Sequence, residues 1–350
     1  MNCIVKAGLV VAAIIAAGTA NAAQRTFVST QGVDNPVCSL VAPCRAFAAA
    51  ITATSLGGEV IVLDSGGYGS VSITQAVSIV APAGVYAGIS VSSGDGVTIN
   101  APGSVVRLAG LTITGLGGSI GINILAAARV SIERCQTTGM TSFGIFGAPG
   151  VFGVDIRDSQ SSNNGASGFG TVGGSAVIVN SRFTSNTGDG VNAADGAFVS
   201  LRDVDASRNS NAGAMATSAA GNTRIEIEGG TFTSHVAAGV EAFASGSGTA
   251  TLDVTRATIS CNLGNGIVAQ TTGASAQAIV AASSNTVSAT SIGLAAQGTN
   301  ASIVATGNTV SRNATGANGG AGGTVFVGGD NSILLNTTNI GTGVSPYTRN

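Results

Sequence analysis

Nine times between residues 121 and 317 a glycine is followed by an apolar or small residue at a nearly fixed interval. The pairs are Gly121-Ile122, Gly144-Ile145, Gly168-Phe169, Gly190-Val191, Gly213-Ala214, Gly239-Val240, Gly266-Ile267, Gly293-Leu294 and Gly316-Ala317, spaced 22 to 27 residues apart. Twelve positions before each glycine after the first stand Ile132, Ile156, Ile178, Leu201, Ile227, Val254, Ala281 and Val304. Fourteen before stand Val130, Val154, Ala176, Val199, Ile225, Leu252, Ile279 and Ser302, so apolar residues alternate with period two, as in a strand with one buried face. A unit this short cannot bury that face alone. Stacking units at the inter-strand spacing lines the aliphatics into interior columns, which is the logic of a β-solenoid. Each coil has room for three short strands and their turns.

Composition agrees with a turn-rich β fold. The 350 residues include 53 glycines, only 9% charged side chains and no tryptophan, with a net charge of −2. Disorder would need high net charge and few apolar residues. Without a basic excess, a nucleic-acid partner is not expected.

Four positions before the glycine stand Asn164, Asn186, Asn209 and Asn262, read as left-handed turn residues whose side chains bond along the stack. His235, the one histidine, shares that register and is read as structural rather than catalytic. Phe183 and Phe232, seven before the glycine, are expected inside.

The N-terminus reads as a secretory signal over residues 1–22, with Lys6 positive, residues 8–17 apolar and Ala20-Asn21-Ala22 as the cleavage site. The apolar run is too short to span a bilayer, and no second one follows, so no membrane span is expected in the mature chain. Export to the periplasm, cell surface or medium permits disulfides. Cys38 and Cys44 flank a five-residue loop and are the expected pair, leaving Cys135 and Cys261; a metal site would need further soft ligands. Residues 23–70 are read as an N-terminal cap and first coil, with an amphipathic helix over 45–54 whose Phe47, Ala50 and Ile51 plug the open end. Residues 71–340 are read as coils and 341–350 as a loose polar tail.

The stretch RTFVSTQGVDNPVCSLVAPCRAFAAAITATSLGGEVIVLDSGGYG, residues 25–69, resembles the N-terminal cap of right-handed parallel β-helix proteins of the pectate-lyase-like superfamily. It is particularly similar to a group of secreted proteobacterial β-helix repeat proteins. The resemblance covers the mature chain and implies an all-β fold, a single right-handed parallel β-helix with a short N-terminal capping helix. It does not imply one activity, because the superfamily holds lyases, hydrolases, epimerases, tailspikes and adhesins.

Enzymes of this kind need converging acids. Hydrolases use two carboxylates across the scissile bond, and lyases need acidic Ca²⁺ ligands near a base. By register, Glu226 and Asp253 are like charges on adjacent coils, with Glu228 and Arg256 nearby; this is the candidate catalytic patch, and Ca²⁺ would enter only under a lyase. Glu133 with Arg157, and Arg202 with Glu228, are read as cross-strand ladders. Asp155-Ile-Arg-Asp158 and Asp203-Val-Asp205 have no partner cluster. Asn186-Thr-Gly-Asp189-Gly is similar in part to a polygalacturonase motif but falls in a turn of the repeat. Sugar grooves display aromatics, and Tyr68, Tyr86 and Tyr347 are scattered. The sequence is therefore read as a non-catalytic extracytoplasmic binding or structural module for a polysaccharide or cell-surface component, with no cofactor. The alternative is a polysaccharide lyase or glycoside hydrolase.

Overall fold

The computed structural model describes residues 23–348, so residues 1–22, read from the sequence as a secretory signal, lie outside the described residues. Each coil lays one strand on each of three parallel sheets. In a typical coil Val154–Arg157 belongs to the first sheet, Gln160–Ser162 to the second and Phe169–Val172 to the third. The second sheet has twelve strands; the first and third are joined by long strands, Val97–Ala109 and Ile122–Glu133, that turn from one to the other. Every strand pairing among them is parallel and links one coil to the next.

The repeat glycines fall where expected. Ile145, Phe169, Val191, Ala214, Val240, Ile267, Leu294 and Ala317 form one column of the third sheet and are all buried. The first-sheet columns also hold through Leu252 and Val254, then shift by one. Leu252 pairs with Val280 and then Ile303, and Val254 with Ala282 and then Ala305. Ile279 and Val304, expected inside, are each 39% exposed, and Ala281 also faces out. The cause is a shorter turn: Ile259 lies seven positions before Gly266, but Val287 lies six before Gly293 and Val310 six before Gly316. Because the strand period is two, one residue exchanges the two faces.

The second turn also differs from expectation. The left-handed residue precedes the asparagine: Asn163 (φ 55°), Ser185 (φ 57°), Arg208 (φ 55°) and Cys261 (φ 56°). The asparagines themselves point inward as a buried ladder. Asn164 Nδ2 donates to Asn186 Oδ1 at 2.9 Å, and Asn186 Nδ2 to Asn209 Oδ1 at 3.0 Å. His235 continues it, its Nδ1 accepting from the Asn209 amide at 3.2 Å while its own amide donates to Asn262 Oδ1 at 2.9 Å. The ladder explains the glycines: a Cβ on Gly168 would lie 2.9 Å from Asn186 Nδ2 and 2.8 Å from the Phe183 ring. A further ladder, Asn285, Asn308 and Asn331, fills the turn between the first and second sheets late in the chain. Phe183 and Phe232 are inside, with Ala206 between them, so large and small residues alternate.

At the N-terminal end the helix Phe47–Ala53 buries Phe47, Ala50 and Ile51 against the first coil. Tyr68 packs 5.2 Å from the Phe47 ring, and its hydroxyl donates to Asp64, which also accepts from Ser29 Oγ at 2.6 Å and the Thr30 amide at 2.8 Å. Cys38 and Cys44 form a disulfide. At the other end Val344–Tyr347 pairs with Thr324–Gly328, so residues read as a loose tail continue the first sheet.

Candidate functional site

The outward side chains of a coil belong to two different environments. On the first sheet, Glu226 stacks on Asp253 as its register requires. Arg224, two positions before Glu226 and on the same side of the strand, reaches both carboxylates at 2.8 Å. Arg256 pairs with Glu228, and Arg202 approaches the same carboxylate at 3.7 Å. The structure thus brings Glu226, Glu228, Asp253 and Arg256 together, but every carboxylate among them is held by arginine. Arg224 stands fifteen positions before its repeat glycine, two before the register of Glu226, and strand alternation puts it on the same outward side. The pattern extends along the face: Glu133 stacks beside Arg157 but pairs with Arg107 at 2.6 Å, Asp155 binds Arg129 and Arg157, and Asp205 on the second sheet binds Arg182 at 3.1 Å. Ca²⁺ asks for about six to eight oxygen ligands. The donors here do not fit it: Glu226 and Asp253 converge on a guanidinium, and no group of three His, Cys, Asp or Glu side chains suited to a metal occurs among the described residues.

The third sheet is different. Two positions after each repeat glycine an outward column runs through Asn123, Phe146, Gly170, Asn192, Met215, Glu241 and Val268. Outward residues are normally exposed, yet these are half-buried or buried. Ala212, Ala238, Val268 and Ala295 form an apolar cluster separate from the core, with Met215 and Ile292 packed against it. The column therefore lies in a recess.

Two acids sit near the middle of this recess. Asp189, directly before its repeat glycine, accepts from the Ala212 amide at 3.0 Å, Asn211 Nδ2 at 2.7 Å and Asn192 Nδ2 at 2.9 Å. Burial outweighs these donors and holds its carboxyl above the ordinary range. Glu241 is 8% exposed, and no donor of the fold reaches it. Only Asn123 Oδ1 and Thr171 Oγ1 are enclosed without a partner among the described residues, so the Glu241 oxygens still meet the recess. Burial first, and the charge of Asp189 second, push the Glu241 carboxyl up to about 7. Further along the column the Phe143 and Phe146 rings lie 4.9 Å apart, and a Cβ on Gly170 would come within 2.7 Å of Phe143. Bare backbone at Gly170 therefore seats an aromatic platform. Phe146 and Glu241 carry a sequence signal, since both stand two residues after a repeat glycine, a register distinct from that of the first-sheet acids.

His235 is fully buried, its Nε2 3.1 Å from the Ala206 carbonyl, and burial lowers it to about 4, so it is a neutral rung of the ladder. Cys135 is buried and Cys261 exposed. No described helix is long and apolar enough to cross a membrane.

Residues 87–254, just under half of the chain, match the family model of a right-handed β-helix region. No curated protein matches the chain in sequence. Among solved structures it resembles the A-module of the Azotobacter vinelandii mannuronan C-5 epimerase AlgE4, at 17% identity and a TM-score of 0.61 over 92% of this chain and 100% of that one. It also resembles the periplasmic alginate epimerase AlgG, at 12% identity and a TM-score of 0.58 over 83% of this chain and 76% of that one. A third is the catalytic domain of a GH87 alpha-1,3-glucanase in complex with nigerose, at 12% identity and a TM-score of 0.59 over 94% of this chain and 68% of that one. These likenesses establish the fold, a right-handed parallel β-helix.

Proposed function

We propose that this right-handed parallel β-helix of the pectate-lyase-like superfamily binds an extended polysaccharide along the outer face of its third sheet. The observation that carries the reading is Glu241, a buried carboxyl open to a recess in which the fold gives it no donor. Burying a polar group without a partner is costly, and a ligand hydroxyl would remove that cost. Asn192 and the Phe143–Phe146 platform add what a sugar ring needs, amide contacts at its edge and an apolar face beneath it. From Phe146 to Glu241 is four strand spacings, about 19 Å, which suits an extended polymer. The structural neighbours, which act on polysaccharides by their names, support this class of ligand. The Cys38–Cys44 bridge suits work outside the cytoplasm.

Retention in polysaccharide-containing native gels tests the site. Phe146→Ala and Asn192→Ala should each weaken retention, Phe146→Ala by about fivefold to tenfold for a stacking contact of ~1–1.4 kcal/mol. Glu226→Ala and Asp253→Ala should leave it unchanged. Retention that follows Glu226 and Asp253 would move the binding face to the first sheet.

Hydrolysis is the second reading, favoured by two carboxyls in one recess with the proton of Glu241 retained near neutrality. Release of reducing ends that disappears in Glu241→Gln would support it. Release that survives in Glu241→Gln would remove Glu241 from the chemistry.

A further inference from the structure

We propose that the recess on the third sheet accepts uncharged polysaccharides and rejects polyuronates. The inference rests on the binding face argued above and adds the chemistry of its ligand. The described residues contain arginine but no lysine, and no arginine falls between the position before a repeat glycine and the fourth position after it, in any of the nine repeats. The arginines lie on the first and second sheets, in the turns or in the N-terminal cap, and on the first sheet they pair with acids. The recess holds carboxylates alone: Asp189 and Glu241 near its middle and Asp95 at one end, where Asp95 accepts from Asn123 Nδ2 at 2.7 Å.

A uronate chain carries a carboxylate on every sugar. Laid in this recess it would meet acids with no cation between, Glu241 adding its charge as pH rises through about 7, and partial burial reduces the screening that water would supply. A neutral chain meets a different inventory. Its hydroxyls can donate to the oxygens of Glu241, which meet the recess and receive no donor from the fold. Glu241 and Phe146 stand in one column, four strands apart. A carboxyl without a donor and an aromatic platform without a cation describe a site for hydroxyls and apolar sugar faces.

The test measures affinity of the purified protein for a panel of neutral glucans, mannans, xylans and galactans and for polygalacturonate and alginate, at low and high salt. At least one neutral polymer should bind about tenfold or more tighter than either polyuronate. Any residual polyuronate binding should strengthen with salt, because salt screens repulsion. Met215→Arg, which places a cation between Asn192 and Glu241 in the column, should raise polyuronate affinity several-fold. Polyuronate binding as tight as neutral binding, and lost in Phe146→Ala, would overturn the selectivity while leaving the binding face in place. Binding of no polymer, or binding indifferent to Phe146→Ala, would overturn the face itself and the selectivity with it.

Discussion

The first and third sheets share a backbone but solve the problem of their outward side chains in opposite ways. On the first sheet each acid meets an arginine from its own or a neighbouring coil, so Arg224 joins Glu226 to Asp253 across one strand spacing. The face is exposed, self-neutralised and saturated, and a ligand would have to displace bonds already made. On the third sheet the outward residues are recessed, few are charged, and Glu241 has no cation to neutralise it. Stacking identical columns makes any charge repeat against itself unless an opposite charge alternates with it. The arginine ladders answer that constraint. The lone Glu241, with Met215 before it and Val268 after it, avoids it by dilution.

The largest effect is expected from breaking that dilution. Val268 is 2% exposed and pairs with Glu241. Val268→Asp would set two acids on adjacent coils as in Glu226 and Asp253, but buried and without arginine. A loss of about 3 kcal/mol or more in urea unfolding is expected, or failure to fold. Val268→Asn, polar but uncharged, should lose about 1–2 kcal/mol less. Equal losses in the two variants would show that polarity, not charge, limits this face.

A smaller effect separates the recess from the interior beneath it. Glu241, raised to about 7, binds its proton more tightly folded than unfolded, so its contribution is present at low pH and lost as pH rises from about 4.5 to 7. His235, lowered to about 4, is protonated more readily unfolded, so its contribution is present above about 6.5 and lost as pH falls towards 4. Each is worth on the order of 3 kcal/mol, and between pH 5 and 6.5 the two slopes oppose. Glu241→Gln should therefore leave stability rising with pH across that window. His235→Asn, which keeps a rung in the ladder, should leave it falling. Parallel profiles for both variants and the parent, by thermal melting, would contradict the assignment of these two groups.

The coil repeat was legible because its causes recur from coil to coil: several of the glycines face the buried ladder of asparagines and His235, and the aliphatics alternate with the strand. The cap helix was legible for the same local reason, with Phe47, Ala50 and Ile51 on one side. The one-residue shift at Ile279 and Val304 was not, because a fixed offset from the glycine cannot see a shortened turn. The Asn285, Asn308 and Asn331 ladder escaped because it begins only late in the chain and replaces Ser159 and Ser181 of earlier coils. The recess was hidden for a different reason. Period two says that Phe146 and Glu241 point outward, but their burial comes from neighbours on other coils and in the turns. Acids were visible as residues, while the arginines that saturate Glu226 and Asp253, and the lack of any beside Glu241, are properties of the assembled columns.

The smallest expected effect tests the other half of the comparison. Arg224→Ala removes the only guanidinium seen to bridge Glu226 and Asp253, leaving adjacent like charges on the first sheet. If saturation by arginine were what holds this face together, the loss would approach that of Val268→Asp. Yet Arg224, Glu226 and Asp253 are 51%, 40% and 32% exposed, so water and salt screen the repulsion that remains. The expected loss is ~0.5 kcal/mol, shrinking further at high salt, and polysaccharide retention should not change. A loss above about 2 kcal/mol would mean that the ladder contributes to stability as the interior does. A changed retention would mean that the first sheet also meets the ligand, and the two faces would no longer have separate roles.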